Sequence, residues 1–114
     1  METKTTLLQF TSYGMGEGDA DLKLLLAKNY LNVILQEGKL PAFIVCYNEG
    51  VKLMCTGSPT LEMLKSLESK GVKIIACTTC LKHYGLMDSL EVGIAATMMD
   101  IFHLQNAADK VINL

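Results

Sequence analysis

Residues 41–48 contain Phe43, Ile44, Val45 and Cys46 in an unbroken apolar run, without the polar alternation of a half-exposed strand. A strand of this kind has to be covered on both faces, as a central strand of a parallel sheet is. Residues 72–77 repeat the pattern, and residues 5–11 form another β-rich run near the start of the chain. Helical patterns lie between them. Leu22, Leu25, Leu26, Tyr30, Val33 and Ile34 recur at helical spacing after Asp19, a good N-cap, until Gly38 stops the pattern. Ser58 and Pro59 are expected to open the next helix as cap and first residue, with Leu61, Leu64 and Leu67 as its buried stripe and Gly71 as its end.

Residues 51–55 fit either a short strand or a loop. A short helix is expected from about Thr78, a fourth strand at 91–95, a last helix at 98–107 and a fifth strand at 109–114. With right-handed crossovers, this alternation predicts an α/β fold: one three-layer α/β/α domain over residues 1–114 with a mainly parallel five-stranded sheet. Sites in such sheets lie beyond the carboxyl ends of the strands, where Gly14, Asn48 and Cys77 fall.

Composition narrows the function. Half of the 114 residues are hydrophobic and 19% are charged, more apolar surface than one small core can hide, so a homo-oligomer is expected. The net charge is -2 and the lysines are scattered singly, which offers phosphates no basic stripe and argues against nucleic acid as a partner. No apolar run approaches the roughly 20 residues that cross a bilayer, and the opening residues lack a leader's long apolar region. A soluble cytoplasmic protein with no membrane partner is the expectation. Cys46, Cys55, Cys77 and Cys80 are then reduced thiols rather than a disulfide framework.

The chemistry is expected at Cys77-x-x-Cys80, where a strand runs into a helix. A thiol there faces unpaired N–H groups and the positive end of a dipole, which favours thiolate, and Lys82 and His83 add positive charge one turn on. Thioredoxin chemistry would need a proline downstream of the motif, whereas Pro41 and Pro59 both precede it, and covalent haem would need His where Leu81 stands. A Cys₄ zinc site would need two close pairs, and Cys46 and Cys55 are too far apart in sequence to form one, so no metal is expected. Cys46 reads as core, and Cys55 as either a second-site thiol or a buried one. Gly14, Gly16 and Gly18 miss the dinucleotide spacing, since Asp19 stands where the third glycine belongs, and no cofactor is expected. His83 is a candidate acid or base, and an exposed surface residue otherwise.

Asn48-x-Gly50-Val51-Lys52-Leu53, Gly57-Ser58, Gly71-Val72-x-Ile74, Cys77-x-Thr79-Cys80-Leu81 and Tyr84-Gly85-Leu86 occur in that order. On these residues the chain resembles the DsrE/DsrF-like family of sulfur-relay proteins, most closely the DsrE-like domain of YedF-type proteins associated with selenium metabolism. The resemblance implies a flavodoxin-like fold, frequent homo-oligomers and sulfur carried as a persulfide on a cysteine after a central strand. It points to Cys77 as carrier and Cys80 as resolving or assisting partner. Thr78, Thr79, Asn48, Gly50, Cys55, Gly14 and His83 are the candidate supporting residues. Donor and acceptor proteins, a TusA-like protein among them, are the implied partners. The chain departs from YedF-type proteins in lacking their TusA-like domain and in reading Cys77-Thr78-Thr79-Cys80 where they have Cys-Gly-Thr-Cys. An oligomeric binding module with incidental cysteines and a Cys77–Cys80 dithiol redox protein are the alternatives.

Overall fold

The computed structural model describes residues 5–114; the expectation for the first residues of the chain falls partly outside them. Strands β1 (Thr6–Phe10), β2 (Phe43–Cys46), β3 (Lys73–Cys77), β4 (Ile94–Ala96) and β5 (Lys110–Asn113) form one sheet in the order β4-β3-β2-β1-β5. Every pairing is parallel. The first four strands step outward one by one, and β5 returns to the free flank of β1. As the unbroken apolar runs require, β2 and β1 are interior strands, and Ile44, Val45 and Cys46 are fully buried.

Helices α1 (Ala20–Glu37), α2 (Leu61–Ser69), α3 (Thr78–His83) and α4 (Met98–Ala107) connect the strands. Side chains alternate along each strand, so Leu8, Phe10, Ile44, Cys46, Ile74 and Ala76 face one way. Ile34 of α1 lines a cleft with Leu8 and Ile112 on that side, and α1 packs against α2. Leu7, Gln9, Val45, Ile75 and Cys77 face the other way, toward α4. Gln105 of α4 donates to Gln9 Oε1 at 2.6 Å, while Gln9 Nε2 donates to Tyr47 Oη and Asn113 Oδ1, both at 3.1 Å.

Local departures from expectation have identifiable causes. The core side of α1 is Ala27, Leu31 and Ile34, whereas Leu22, Leu25, Leu26 and Val33 are exposed; the helix carries apolar residues on more than one face. Asp19 stands at the N-cap position, but its side chain caps nothing. α2 starts at Leu61 rather than Pro59, because Ser58 Oγ accepts from Thr60 N at 3.2 Å and Thr60 Oγ1 donates to the Leu53 carbonyl at 2.9 Å, which folds 58–60 into a turn. β4 starts at Ile94 rather than Glu91. Glu91 N donates to the Met54 carbonyl and Gly93 N to Glu68 Oε2, so these N–H groups are used outside the sheet ladder although Gly93 still lies against the Ile74 backbone of β3. Asn48–Met54 is neither strand nor loop but a 3-10 helix. α4 follows its predicted bounds and begins with a reciprocal cap between Thr97 and Asp100.

Cys46 lies wholly inside this core. Burial, with a smaller contribution from Cys55, pushes its thiol from 9.0 up to about 12. The unfolded chain ionises this thiol near its ordinary value. The stability it contributes is therefore full below pH 9 and is lost as pH rises through the folded value. By about pH 10.5 the loss reaches roughly 2 kcal/mol. In urea titrations, the stability gap between wild type and Cys46→Ala should shrink by that amount; a gap unchanged with pH would contradict it.

Candidate functional site

Cys77 ends β3, and α3 begins at the next residue. Thr78 Oγ1 donates to the Ala96 carbonyl at 3.0 Å, tying the start of the helix to β4. Thr79 is exposed and makes no side-chain hydrogen bond. The turn leaves the two thiols in different surroundings. Cys77 is 1% exposed and packed in the core, whereas Cys80 is only half-buried. Cys77 lies close enough to Cys80 to influence its ionisation, and all four cysteines are free.

Cys80 Sγ accepts the backbone N–H of Asn48 at 3.0 Å. Burial raises the Cys80 thiol, the Asn48 N–H opposes that rise, and the neighbouring Cys77 adds to it. Asn48 starts the 3-10 helix with φ 54°, and its Oδ1 accepts from Tyr84 Oη at 3.1 Å. The Lys52 ammonium sits 4.7 Å from the Tyr84 ring centre and 3.1 Å from Glu49 Oε2. Asn48, Cys77 and Cys80 thus meet at one place on the carboxyl edge of the sheet.

The other predicted residues stand further back. Gly50 is where the 3-10 helix touches the end of β1: a Cβ there would overlap the Phe10 carbonyl. Gly14 turns the 12–18 loop against the backbone of Lys23, again with no room for a side chain. Cys55 is buried, its Sγ donating to the Val51 carbonyl at 3.2 Å, and burial followed by Glu91 pushes its thiol up. It is near enough to Cys46 to raise that thiol further. His83 is exposed, with its ring edge-on to Tyr84 at 5.1 Å and no hydrogen bond to either thiol. Among the described residues, no three His, Cys, Asp or Glu side chains are grouped to hold a metal ion. Nor is any helix there long and apolar enough to cross a membrane.

Tyr84 and Lys52 are contacts that the residue-by-residue reading did not assign to the site. The available signal was spacing, since Tyr84 lies one helical turn beyond Cys80, the separation at which side chains share a helix face.

Strand order and thiol placement together define a parallel α/β domain with a cysteine pair at the carboxyl end of an interior strand. The sequence profile of the DsrE/DsrF-like family matches residues 5–114, and the chain belongs to that family, which is associated with sulfur relay. No match was found among curated proteins. Solved structures share the fold. A protein of unknown function, MTH1491 from Methanobacterium thermoautotrophicum, superposes with a TM-score of 0.73 at 18% identity, over 98% of this chain and 100% of that one. The ychN protein from E. coli gives 0.69 at 20% identity over 98% and 100%. BT1422 from Bacteroides thetaiotaomicron, described as a conserved protein of unknown function, gives 0.65 at 17% over 96% and 94%.

Proposed function

We propose that this chain takes sulfane sulfur from a donor persulfide at Cys80, holds it on Cys77 as a persulfide, and yields it to an acceptor thiol. The observation that carries the reading is the unequal pair: one thiol reachable and held by a peptide N–H, the other adjacent to it and buried. Cys80 loses its proton to solvent, and its thiolate attacks the outer sulfur of the donor R–S–SH. The donor's S–S bond breaks, the donor leaves as thiolate, and Cys80 carries the new persulfide.

Cys77, deprotonated in its turn, attacks that outer sulfur. The persulfide moves inward, and Cys80 returns as a thiolate whose charge the Asn48 N–H accepts. The reverse exchange returns the sulfur to Cys80, where an acceptor thiolate removes it and Cys80 leaves as thiolate. Each exchange makes one S–S bond and breaks one, so no oxidant, metal or cofactor enters. The raised Cys80 thiol makes the first step speed up as pH rises into the alkaline range.

Of the two thiols, the half-buried Cys80 is the one that solvent reaches at the carboxyl edge of the sheet. A cleft of about 670 Å³, lined by Leu8, Tyr30, Ile34 and Ile112, is at the opposite end of the sheet. An open thiol suits a protein donor, and a TusA-like carrier is the class that the family resemblance suggests. The likeness to YedF-type domains extends the proposal to selenium, which follows the same displacement chemistry and differs in mass. Such a carrier works where thiols stay reduced, which favours the cytoplasm. Mass spectrometry after incubation with a persulfide donor tests the function: a gain of one sulfur on the Cys77–Cys80 peptide supports it, and no gain refutes it.

Self-association is the second part of the proposal. Ile94 (63% exposed), Met99 (69%) and Phe102 (58%), with Met98 and Val111, belong to α4 or to the sheet face beneath it, where only Ile101 of the helix is buried. An apolar layer of this kind favours a second copy of the chain. Light scattering should find an oligomer at micromolar concentration, converted to monomer by combining Met99→Glu with Phe102→Glu. A monomeric wild type would refute this.

A further inference from the structure

The Cys80 sulfur is held from outside its own helix. Its hydrogen-bond donor is the backbone N–H of Asn48, which is the one non-glycine with positive φ among the described residues. L residues avoid that conformation, asparagine less than most, and its side chain gains by finding a partner there. The partner is Tyr84. Its hydroxyl donates to Asn48 Oδ1 at 3.1 Å, and its backbone N–H donates to the Cys80 carbonyl at 3.1 Å. The contacts close a ring: Cys80 sulfur, Asn48 N–H, Asn48 amide oxygen, Tyr84 hydroxyl, Tyr84 backbone and Cys80 carbonyl.

The phenol itself is fixed. Lys52 lies over the ring at 4.7 Å and is held by Glu49, while His83 packs edge-on. We propose that Tyr84 is a positioning residue for the Cys80 thiol: its hydroxyl locks Asn48 in the left-handed conformation that aims the peptide N–H at Cys80 Sγ, and so sets how readily that sulfur carries negative charge. This deepens the relay reading, on which its biological use rests, but the lock acts on the free thiol and is testable without any sulfur donor. The titratable and charged groups around Cys80 are Cys77 one turn back, Glu49 and Lys52 on the 3-10 helix, and His83 with Tyr84 at the end of α3. Tyr84→Phe removes the hydroxyl and leaves every one of these charged side chains in the sequence.

The test is the pH profile of iodoacetamide alkylation at Cys80 in the intact protein, read peptide by peptide by mass spectrometry. Tyr84→Phe should move the profile's midpoint up by about one pH unit, because a lost N–H donor disfavours thiolate. Near neutral pH the rate should fall only about threefold: thiolate drops about tenfold, and the more basic thiolate regains part of that in nucleophilicity. Above both midpoints the variant should react faster than wild type, which general loosening of the helix would not produce. Asn48→Ala should reproduce the upward shift, and it carries the test should Tyr84→Phe fail to fold. Asn48→Gly adopts the left-handed conformation freely, so it should keep the wild-type midpoint, and adding Tyr84→Phe to it should change nothing more. An unshifted midpoint in Tyr84→Phe, or an equal shift on the Asn48→Gly background, overturns the proposal. Absence of sulfur loading with the shifts intact would instead refute the relay reading alone.

Discussion

Cys80→Ser is expected to lose loading of sulfane sulfur from a persulfide donor by about a thousandfold or more, since a hydroxyl offers no comparable nucleophile at neutral pH. Cys77→Ser should behave differently. It keeps the reachable thiol and its N–H donor, so it should still gain one sulfur, now held on Cys80. That sulfur should leave faster when a small thiol is added, because it stays at the half-buried position instead of moving to one that is 1% exposed. Peptide mapping decides the order of events. Wild-type protein loaded on Cys77 with Cys80→Ser unloaded supports passage from the outer to the inner thiol. Cys80→Ser loading at the wild-type rate would place receipt at Cys77 itself and remove the two-thiol order.

Gly50→Ala should destabilise the fold by about 3 kcal/mol, the upper part of the range for forcing extra volume into a packed site. The obstacle is the Phe10 carbonyl at the end of β1, which is backbone and cannot rotate aside as a side chain does. Gly50 N also donates to the Tyr47 carbonyl at 3.0 Å, and Val51 beside it is fully buried, so the 3-10 helix cannot easily lift away. Urea unfolding at neutral pH measures the change, and a loss below about 0.5 kcal/mol would mean that the contact relaxes freely. Because Asn48 starts the same short helix, the variant should also alter alkylation of Cys80. Stability and thiol reactivity meet in this one connection.

The inner strands of the sheet were legible because they are buried on both faces and separated by helical periodicity. Phe43–Cys46 and Lys73–Cys77 appear as apolar runs for that reason. α4 was legible at 98–107, and the Thr97–Asp100 cap that starts it came only from the structure. The 3-10 helix at Asn48–Met54 was not, because its tight turns carry no 3.6-residue pattern. Leu22, Leu25 and Leu26 mark a helix by their spacing, but spacing does not say which of two apolar faces meets the sheet, and Ala27 and Leu31 do.

The site divides the same way. The Cys77-x-x-Cys80 spacing and its strand-to-helix position were visible in the sequence. Which thiol faces outward depends on what covers β3 and on where Asn48 arrives from another strand, and neither is a local property. Gly14 and Gly50 were recognisable as special positions, and the structure gives both the role of close backbone contact. Tyr84 acts through a residue 36 positions away, beyond the reach of any local pattern.

The amide of Gln9 bonds Tyr47 after β2, Asn113 on β5 and Gln105 on α4. Sliding β5 by one residue would set Ile112 against Gln9 and cost the buried amide its Asn113 partner, a mismatch that hydrophobic contact alone would not penalise. Gln9 therefore proofreads the arrival of the final strand, the step in which the chain crosses from one edge of its sheet to the other and has the greatest freedom to close incorrectly.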